Sequence, residues 1–202
     1  MTTEDIAGAP SGATRGAPAT DTRGRLIAAA RDVFCEVGLK QARMEDIAAR
    51  AGVSRAAVYY HFNTKGDLAA AIADDVFQRL TVAIRAALAD GPLDGVIAAT
   101  VRFFAEHVAL ARLLISEAAL PTDHFHEFAR HRDVMLDLLR RRIAADIAAG
   151  RVRSMDPDVA AQAVVSVMRA APIEMICNEG ADKHHLTAQL TEFLRHAIAP
   201  TP

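Results

Sequence analysis

The 202 residues hold only two tyrosines and two cysteines. Cys35 and Cys177 lie far apart, each within a helical pattern. They are expected to be two buried thiols in a reducing compartment, with a redox pair as the sharper alternative. There is no uninterrupted run of about 18 apolar residues, so no membrane-spanning helix is expected. No basic start is followed by an apolar block, so a secretory leader is not expected either. A glycine-rich phosphate loop is missing: the run GRVRS at Gly150 has neither the glycine spacing nor a strand before it. No serine elbow or Cys/His arrangement has the local setting that catalysis needs, and no enzyme activity is expected. Asp123, His124, His126 and Glu127 carry ligating groups, but His124 and His126 diverge on a helix, as do His184 and His185. No metal and no cofactor are therefore expected. A strong charge of one sign is lacking too. The net charge is −2, which argues against indiscriminate coating of nucleic acid. The small basic excess sits in residues 21–70, which carry eight Lys/Arg against six Asp/Glu.

Both tyrosines, Tyr59 and Tyr60, stand side by side in the stretch MEDIAARAGVSRAAVYYHF, residues 44–62. Met44, Ile47, Ala48 and Ala51 follow the i, i+3, i+4, i+7 rule of a helix with one inner face. Glu45 and Asp46 fall in its first turn, where carboxylates favour the helix dipole. Gly52 supplies a positive φ and Val53 plugs the angle beyond it. Ser54 then caps a second short helix. Upstream, a first helix begins near 20–22, with Leu26, Ala30, Val33, Phe34 and Val37 on one face and Gly38 as a left-handed C-terminal cap. Two helices joined by a tight turn, the second short, form a helix-turn-helix, whose second helix enters the major groove of DNA. On a helical wheel, Val58 and Phe62 face the core. Ala56, Ala57, Tyr59 and Tyr60 face outward, with Arg55 and His61 on the flanks. Two small residues allow the backbone close approach and offer methyls to thymine, while two phenols offer hydroxyls to phosphates or base edges.

The segment from Thr22 to Leu68 resembles the N-terminal domain of TetR-type transcriptional regulators. The matching pieces are the apolar first helix ending at Gly38, DIAARAGVS, VYYHF, and Lys65 with Leu68 just after. They span about 50 residues and are specific as a combined pattern. The resemblance implies that the third helix reads DNA and that the lysine at the start of the fourth helix contacts phosphate. It puts Ser54, Arg55, Ala56, Ala57, Tyr59, Tyr60, His61 and Lys65 at the DNA surface. The family commonly has Thr or Ser just before its second helix. Here that position is Arg43, which cannot cap in the same way but can reach phosphate.

The expected fold is all-α, about nine helices with no strand alternation: a three-helix head and a larger helical body. Residues 1–19 read as a disordered arm rich in Ala, Gly, Pro, Ser and Thr. Arg15 within it is either a solvated charge or a minor-groove contact. Residues 20–66 form the helix-turn-helix domain and 67–202 the ligand-binding and dimerisation domain. Further helices are expected over about 65–90, 93–108, 110–119, 123–149, 156–178 and 184–199. Gly91-Pro92 and Gly150 act as stops, and Pro172 should kink its helix. Arg140, Arg141 and Arg142 read as a solvated charged face.

In the resembled family the body encloses a small-molecule pocket, and the last two helices pair with a second copy. Candidate walls are Phe103, Phe104, His107, Phe125, Phe128, Met135, Met168 and Met175, with His107, Arg130, His131 and Arg169 as polar candidates. The Phe and Met residues serve equally as plain core, as such residues at helical spacing usually do. The function expected is a cytoplasmic, homodimeric repressor of a palindromic operator, released by a small, mostly apolar effector. The alternatives are a ligand-independent regulator switched by a protein partner and an all-helical enzyme. They are separated by what relieves a band shift and by turnover of a small molecule.

Overall fold

A computed structural model of the chain describes residues 19–108, 111, 125–178 and 180–200. Among them there is no strand and there are eight helices. They are α1 (Ala19–Gln41), α2 (Met44–Ala51), α3 (Arg55–His61), α4 (Lys65–Asp90), α5 (Gly95–Glu106), α6 (Phe125–Ala148), α7 (Pro157–Cys177) and α8 (Lys183–Ile198). The helix expected over 110–119 lies outside the described residues, as does the arm 1–18 with Arg15.

The head is α1 packed on α2 and on the start of α4, with α3 docked on α2. Leu26, Ala30, Ile47 and Val58 meet with almost no exposure, and Leu68 and Ile72 of α4 close the cluster from below. Val37, expected on this inner face, is instead about half exposed. α1 bends at Gly38, which has φ 79° and ψ 157°. That ψ is far from the left-handed helical well of the expected cap, yet the positive φ still favours glycine. The chain turns there and resumes helix to Gln41, with the Gly38 carbonyl accepting from the Ala42 N–H at 3.1 Å.

α4 starts with a reciprocal cap. The Thr64 hydroxyl accepts from the Asp67 N–H at 3.1 Å, and the Asp67 carboxylate accepts from the Thr64 N–H at 2.8 Å. α4 then runs 26 residues into the body, burying Val76, Leu80, Ile84 and Leu88. α5 packs on α4, α7 and α8, and α6 packs on α4 and α7. α7 begins with Asp156 accepting the N–H groups of Asp158 and Val159, and with Pro157 in its first turn. It continues unbroken through the buried Pro172 to Cys177, so the expected kink does not end it. α8 begins with Asp182, whose carboxylate accepts from the His185 and His184 N–H groups. These bonds hold its pKa below the usual carboxylate range.

Two expectations about single side chains change. Cys35 and Cys177 are free but exposed, not buried. Arg142 is no solvated charge. It donates to the Leu88 carbonyl and, at 2.6 Å, to that of Gly91, closing the C-terminal end of α4. It also pairs at 2.8 Å with Asp146, which receives Arg151 on its other oxygen at 2.6 and 2.8 Å. Arg140 and Arg141 do lie on the exposed face, both paired with Asp137.

Candidate nucleic-acid interface

The turn between α2 and α3 is built by backbone chemistry. Gly52 takes φ 64° and ψ 39°, its N–H reaches the Ala49 carbonyl at 3.1 Å, and the Val53 N–H reaches that of Ala48 at 3.1 Å. This paired closure satisfies carbonyls that the helix end would leave open. Arg25 of α1 donates to the carbonyls of Ala51 and, at 3.1 Å, Gly52, tying the turn to the first helix. Arg50 of α2 holds Glu36 of α1 in a two-pronged pair, 2.7 Å on one side, which keeps the exposed Glu36 carboxyl below its ordinary pKa.

α3 opens with Ser54, whose hydroxyl accepts from the Ala57 N–H at 3.2 Å. Val58 is fully buried and Phe62 nearly so, with the Arg23 guanidinium 5.3 Å from the Phe62 ring centre. These two residues pin the helix. Opposite them, Tyr60 is 84% exposed and Tyr59 40%. Ala56 is exposed and Ala57 half-buried. The Tyr60 ring meets His61 edge-on at 5.1 Å. Arg55 lies over the Tyr59 ring at 5.5 Å and pairs with Glu45 of α2 at 3.1 Å. Arg43 stands just before α2, makes no cap bond, and is 3.8 Å from the same Glu45. Ser54, Arg55, Ala56, Ala57, Tyr59, Tyr60 and His61 thus lie along one seven-residue helix and its cap, with Arg43 beside them through Glu45. Tyr60 in particular, on a helix pinned by other residues, is too exposed to add much to the stability of the head.

Lys65 differs from its companions. Its ammonium donates to the carbonyls of Leu39 (2.8 Å), Lys40 (2.9 Å) and Ala42 (2.9 Å). All three of its N–H donors are therefore engaged at the end of α1. The resemblance implies a phosphate contact here, and that contact would have to displace one of these carbonyls. Lys65→Met should lower the melting temperature of the head through its three orphaned carbonyls, at about 1–3 kcal/mol. The slope of log affinity against log salt should stay unchanged. A slope shallower by about one unit would restore the phosphate role.

The candidate ligand residues divide. Phe103 and Phe104 are buried and meet edge-on at 5.3 Å. His107 stacks on Phe103 at 4.7 Å, with its Nδ1 2.7 Å from the Phe103 carbonyl. Met135, Met168 and Met175 are buried in the same core. Arg169 is exposed, on the side of α7 away from its buried neighbour Met168. The side chains of Phe125 and Phe128, and the acidic and histidine group at 123–127, lie outside the described residues. A cleft of about 220 Å³ at the far end of the body is lined by Leu93, Asp94, Arg142, Arg151, Arg195 and Ile198 among others, and by none of these candidates. Among the described residues, no group of His, Cys, Asp and Glu is placed to hold a metal.

Sequence reasoning missed three groups. Glu45 joins Arg43 and Arg55. His131 of α6 is 2.7 Å from Asp74 and stacks on Phe77, so it ties the body to α4. Asp94 receives Arg195 at 2.7 and 3.0 Å. A fourth pair, Arg142 and Asp146, left a sequence signal, being four apart on a helix.

A pinned reading helix on a three-helix head, followed by a larger helical body, defines the class: an all-α helix-turn-helix protein. Two family models match it in register with those two parts. The first, bacterial regulatory proteins of the tetR family, matches residues 26–72. The second, the tetracyclin repressor-like C-terminal domain, matches residues 89–172. The chain belongs to the TetR family. It is 36% identical over 76 residues to the HTH-type transcriptional regulator TtgR of Pseudomonas putida, covering 38% of this chain and 36% of TtgR. The chain thus spans little more than a third of the length of that curated relative. A bacterial regulatory protein in the tetR family from Rhodococcus RHA1 superposes with a TM-score of 0.71 at 28% identity, covering 90% of this chain and 98% of that one. The transcriptional regulator FadR from Bacillus subtilis, solved in complex with stearoyl-CoA, shares the fold with a TM-score of 0.74 at 18% identity. The match covers 85% and 96% of the two chains.

Proposed function

We propose that the chain is a homodimeric transcriptional repressor that reads a palindromic operator with α3 and leaves it when a small, mostly apolar effector enters the body. The observation that carries the reading is the exposed Tyr59–Tyr60 pair on a helix held by Val58 and Phe62. Arg43, Ser54, Arg55, Ala56, Ala57, Tyr59, Tyr60 and His61 form the DNA face, and Lys65 acts behind it. Such a protein works in the cytoplasm, where its operator is. The division falls after residue 66, with the head before it and the ligand and dimer domain after it.

Pairing through α7 and α8 is supported by their outer faces. Val159 is 64% exposed, Phe193 61% and Ile173 43%, too much apolar surface for two helices facing water. A single head spans few base pairs, and two heads one turn apart multiply affinity. α7 has the length and composition of a membrane span, but it carries Asp158 and Arg169 and packs on α5, α6 and α8, which fits a dimer helix. The aromatic group of Phe103, Phe104 and His107, with Met135, Met168 and Met175, gives a ligand an apolar wall with one polar handle. α4 is the lever. Asp74 and Phe77 meet His131 of the body shortly after the head ends, so a ligand that favours one position of α6 biases the distance between the two heads.

Selection of random duplexes by the full chain should enrich an inverted repeat with half-sites about one helical turn apart. Enrichment of no sequence overturns the reading, and a single unrepeated site overturns the dimer. Apolar small molecules titrated onto the selected complex should release it. Release by a protein alone would favour the partner-switched alternative.

A further inference from the structure

The DNA face contains a carboxylate, which is the wrong sign for a surface that meets phosphates. Glu45 sits in the first turn of α2, 41% exposed, between two arginines. One oxygen is 3.1 Å from Nη1 of Arg55 and the other 3.8 Å from Nε of Arg43. Both arginines are largely exposed, Arg55 at 65% and Arg43 at 73%. Arg55 is the only guanidinium on α3, and its central carbon stands 5.5 Å from the Tyr59 ring centre. A carboxylate at one edge and a neighbouring aromatic ring therefore both restrain it.

The helix dipole accounts for a carboxylate in this turn, as it does for Asp46, but not for its place between two arginines. Nor does the pair hold the fold together, since all three side chains are exposed and such pairs contribute little to stability. What the arrangement does is remove freedom. An arginine on a flexible stem binds any phosphate it can reach, which raises affinity for all DNA alike. An arginine with one edge committed presents its remaining donors over a narrower range of directions, which suits the edge of a guanine.

We propose that Glu45 is a specificity-determining residue of the head: it orients Arg55 for base contact and withholds Arg55 and Arg43 from indiscriminate phosphate binding. The inference rests on the DNA-binding reading above. Glu45 itself touches no DNA and acts as a positioning residue through the two arginines.

The test compares the wild type with Glu45→Gln, Arg55→Lys and the double variant, on the selected operator and on a scrambled duplex, across a salt series. Circular dichroism should be unchanged for all of them. Glu45→Gln should bind scrambled duplex more tightly, with a salt slope steeper by about two to four units, at about 0.9 per phosphate newly engaged in each of two heads. Its operator-to-scrambled affinity ratio should fall about tenfold, the scale of one misplaced base contact. Arg55→Lys keeps the charge but loses the fork, so it should lower the ratio without steepening the slope. In the double variant the losses in ratio should not add, because both remove the same oriented contact. An unchanged ratio and slope for Glu45→Gln would overturn the proposal. So would equal gains on operator and scrambled duplex, which would make Glu45 a plain repulsive charge. If the wild type prefers no duplex, the failure lies with the DNA-binding reading itself.

Discussion

Asp146→Ala is expected to lower the melting temperature by about 6–20 °C. Asp146 is 2% exposed and accepts from two arginines, Arg142 on one oxygen and Arg151 on the other. Removing the buried partner of an ion network costs about 3–5 kcal/mol, chiefly because Arg142, 21% exposed, loses its compensating charge, whereas Arg151, 61% exposed, regains water. For a chain of this size, each kcal/mol moves the midpoint by about 2–4 °C. The position in the fold adds a consequence. Arg142 also closes the carbonyls of Leu88 and Gly91 at the end of α4, so its loss of orientation frees the far end of the lever. Arg151 leads into α7, whose approach is tied to α8 by the Arg153 N–H on the Ile198 carbonyl at 3.0 Å. The measurement is thermal unfolding at fixed protein concentration, since a dimer's midpoint depends on it. Asp133→Ala serves as control. Asp133 and its partner Arg132 are both 64% exposed, and its removal should change little. A loss at Asp146 no larger than at Asp133 would show that the buried network adds nothing to the stability of the body.

The contrast between Asp146 and the head shows what the sequence could reveal. The head was legible because its determinants are local. Gly52, Ser54, Val58 and Phe62 lie within eleven positions, and helical spacing alone places them on their faces. The Schellman-type closure at Gly52 and the Ser54 cap involve partners three to five residues away. Arg142 instead reaches carbonyls more than fifty positions back, and Lys65 reaches the end of α1 across more than twenty. Periodicity says which face a residue occupies, not which open carbonyl it meets. For the same reason, Arg142 within a run of three arginines read as solvated. Cys35 and Val37 turned out exposed although Val33 and Phe34 just before them are buried. Phe103, Met135, Met168 and Met175 were rightly placed inside, but burial alone does not separate a wall from a core. Glu45 was read as a dipole partner because its arginines come from a different helix and from the residue before its own.

Tyr60→Ala should weaken operator binding by about 30- to 150-fold while leaving the melting temperature within about 1–2 °C of the wild type. The second half follows from exposure. Tyr60 is 84% exposed, its one ring neighbour is His61 at the helix end, and α3 is held by Val58 and Phe62. Substitutions at such sites fall within about 0.5 kcal/mol, and alanine favours the helix. The first half follows from symmetry. A phenol contact worth about 1–1.5 kcal/mol is lost once in each head, so a dimer loses about 2–3 kcal/mol. At about 1.4 kcal/mol per tenfold, that is the stated range. Tyr60→Phe divides the loss between ring and hydroxyl. If the hydroxyl donates to a phosphate or base edge, phenylalanine should keep only the ring's share, and the deficit should appear on the operator and not on scrambled duplex if the contact is to a base. Anisotropy titrations at two salt concentrations separate these cases. Affinity of Tyr60→Ala within twofold of the wild type at both salts would remove Tyr60 from the DNA face and leave Arg55, Ala56, Ala57 and Tyr59 as the reading surface.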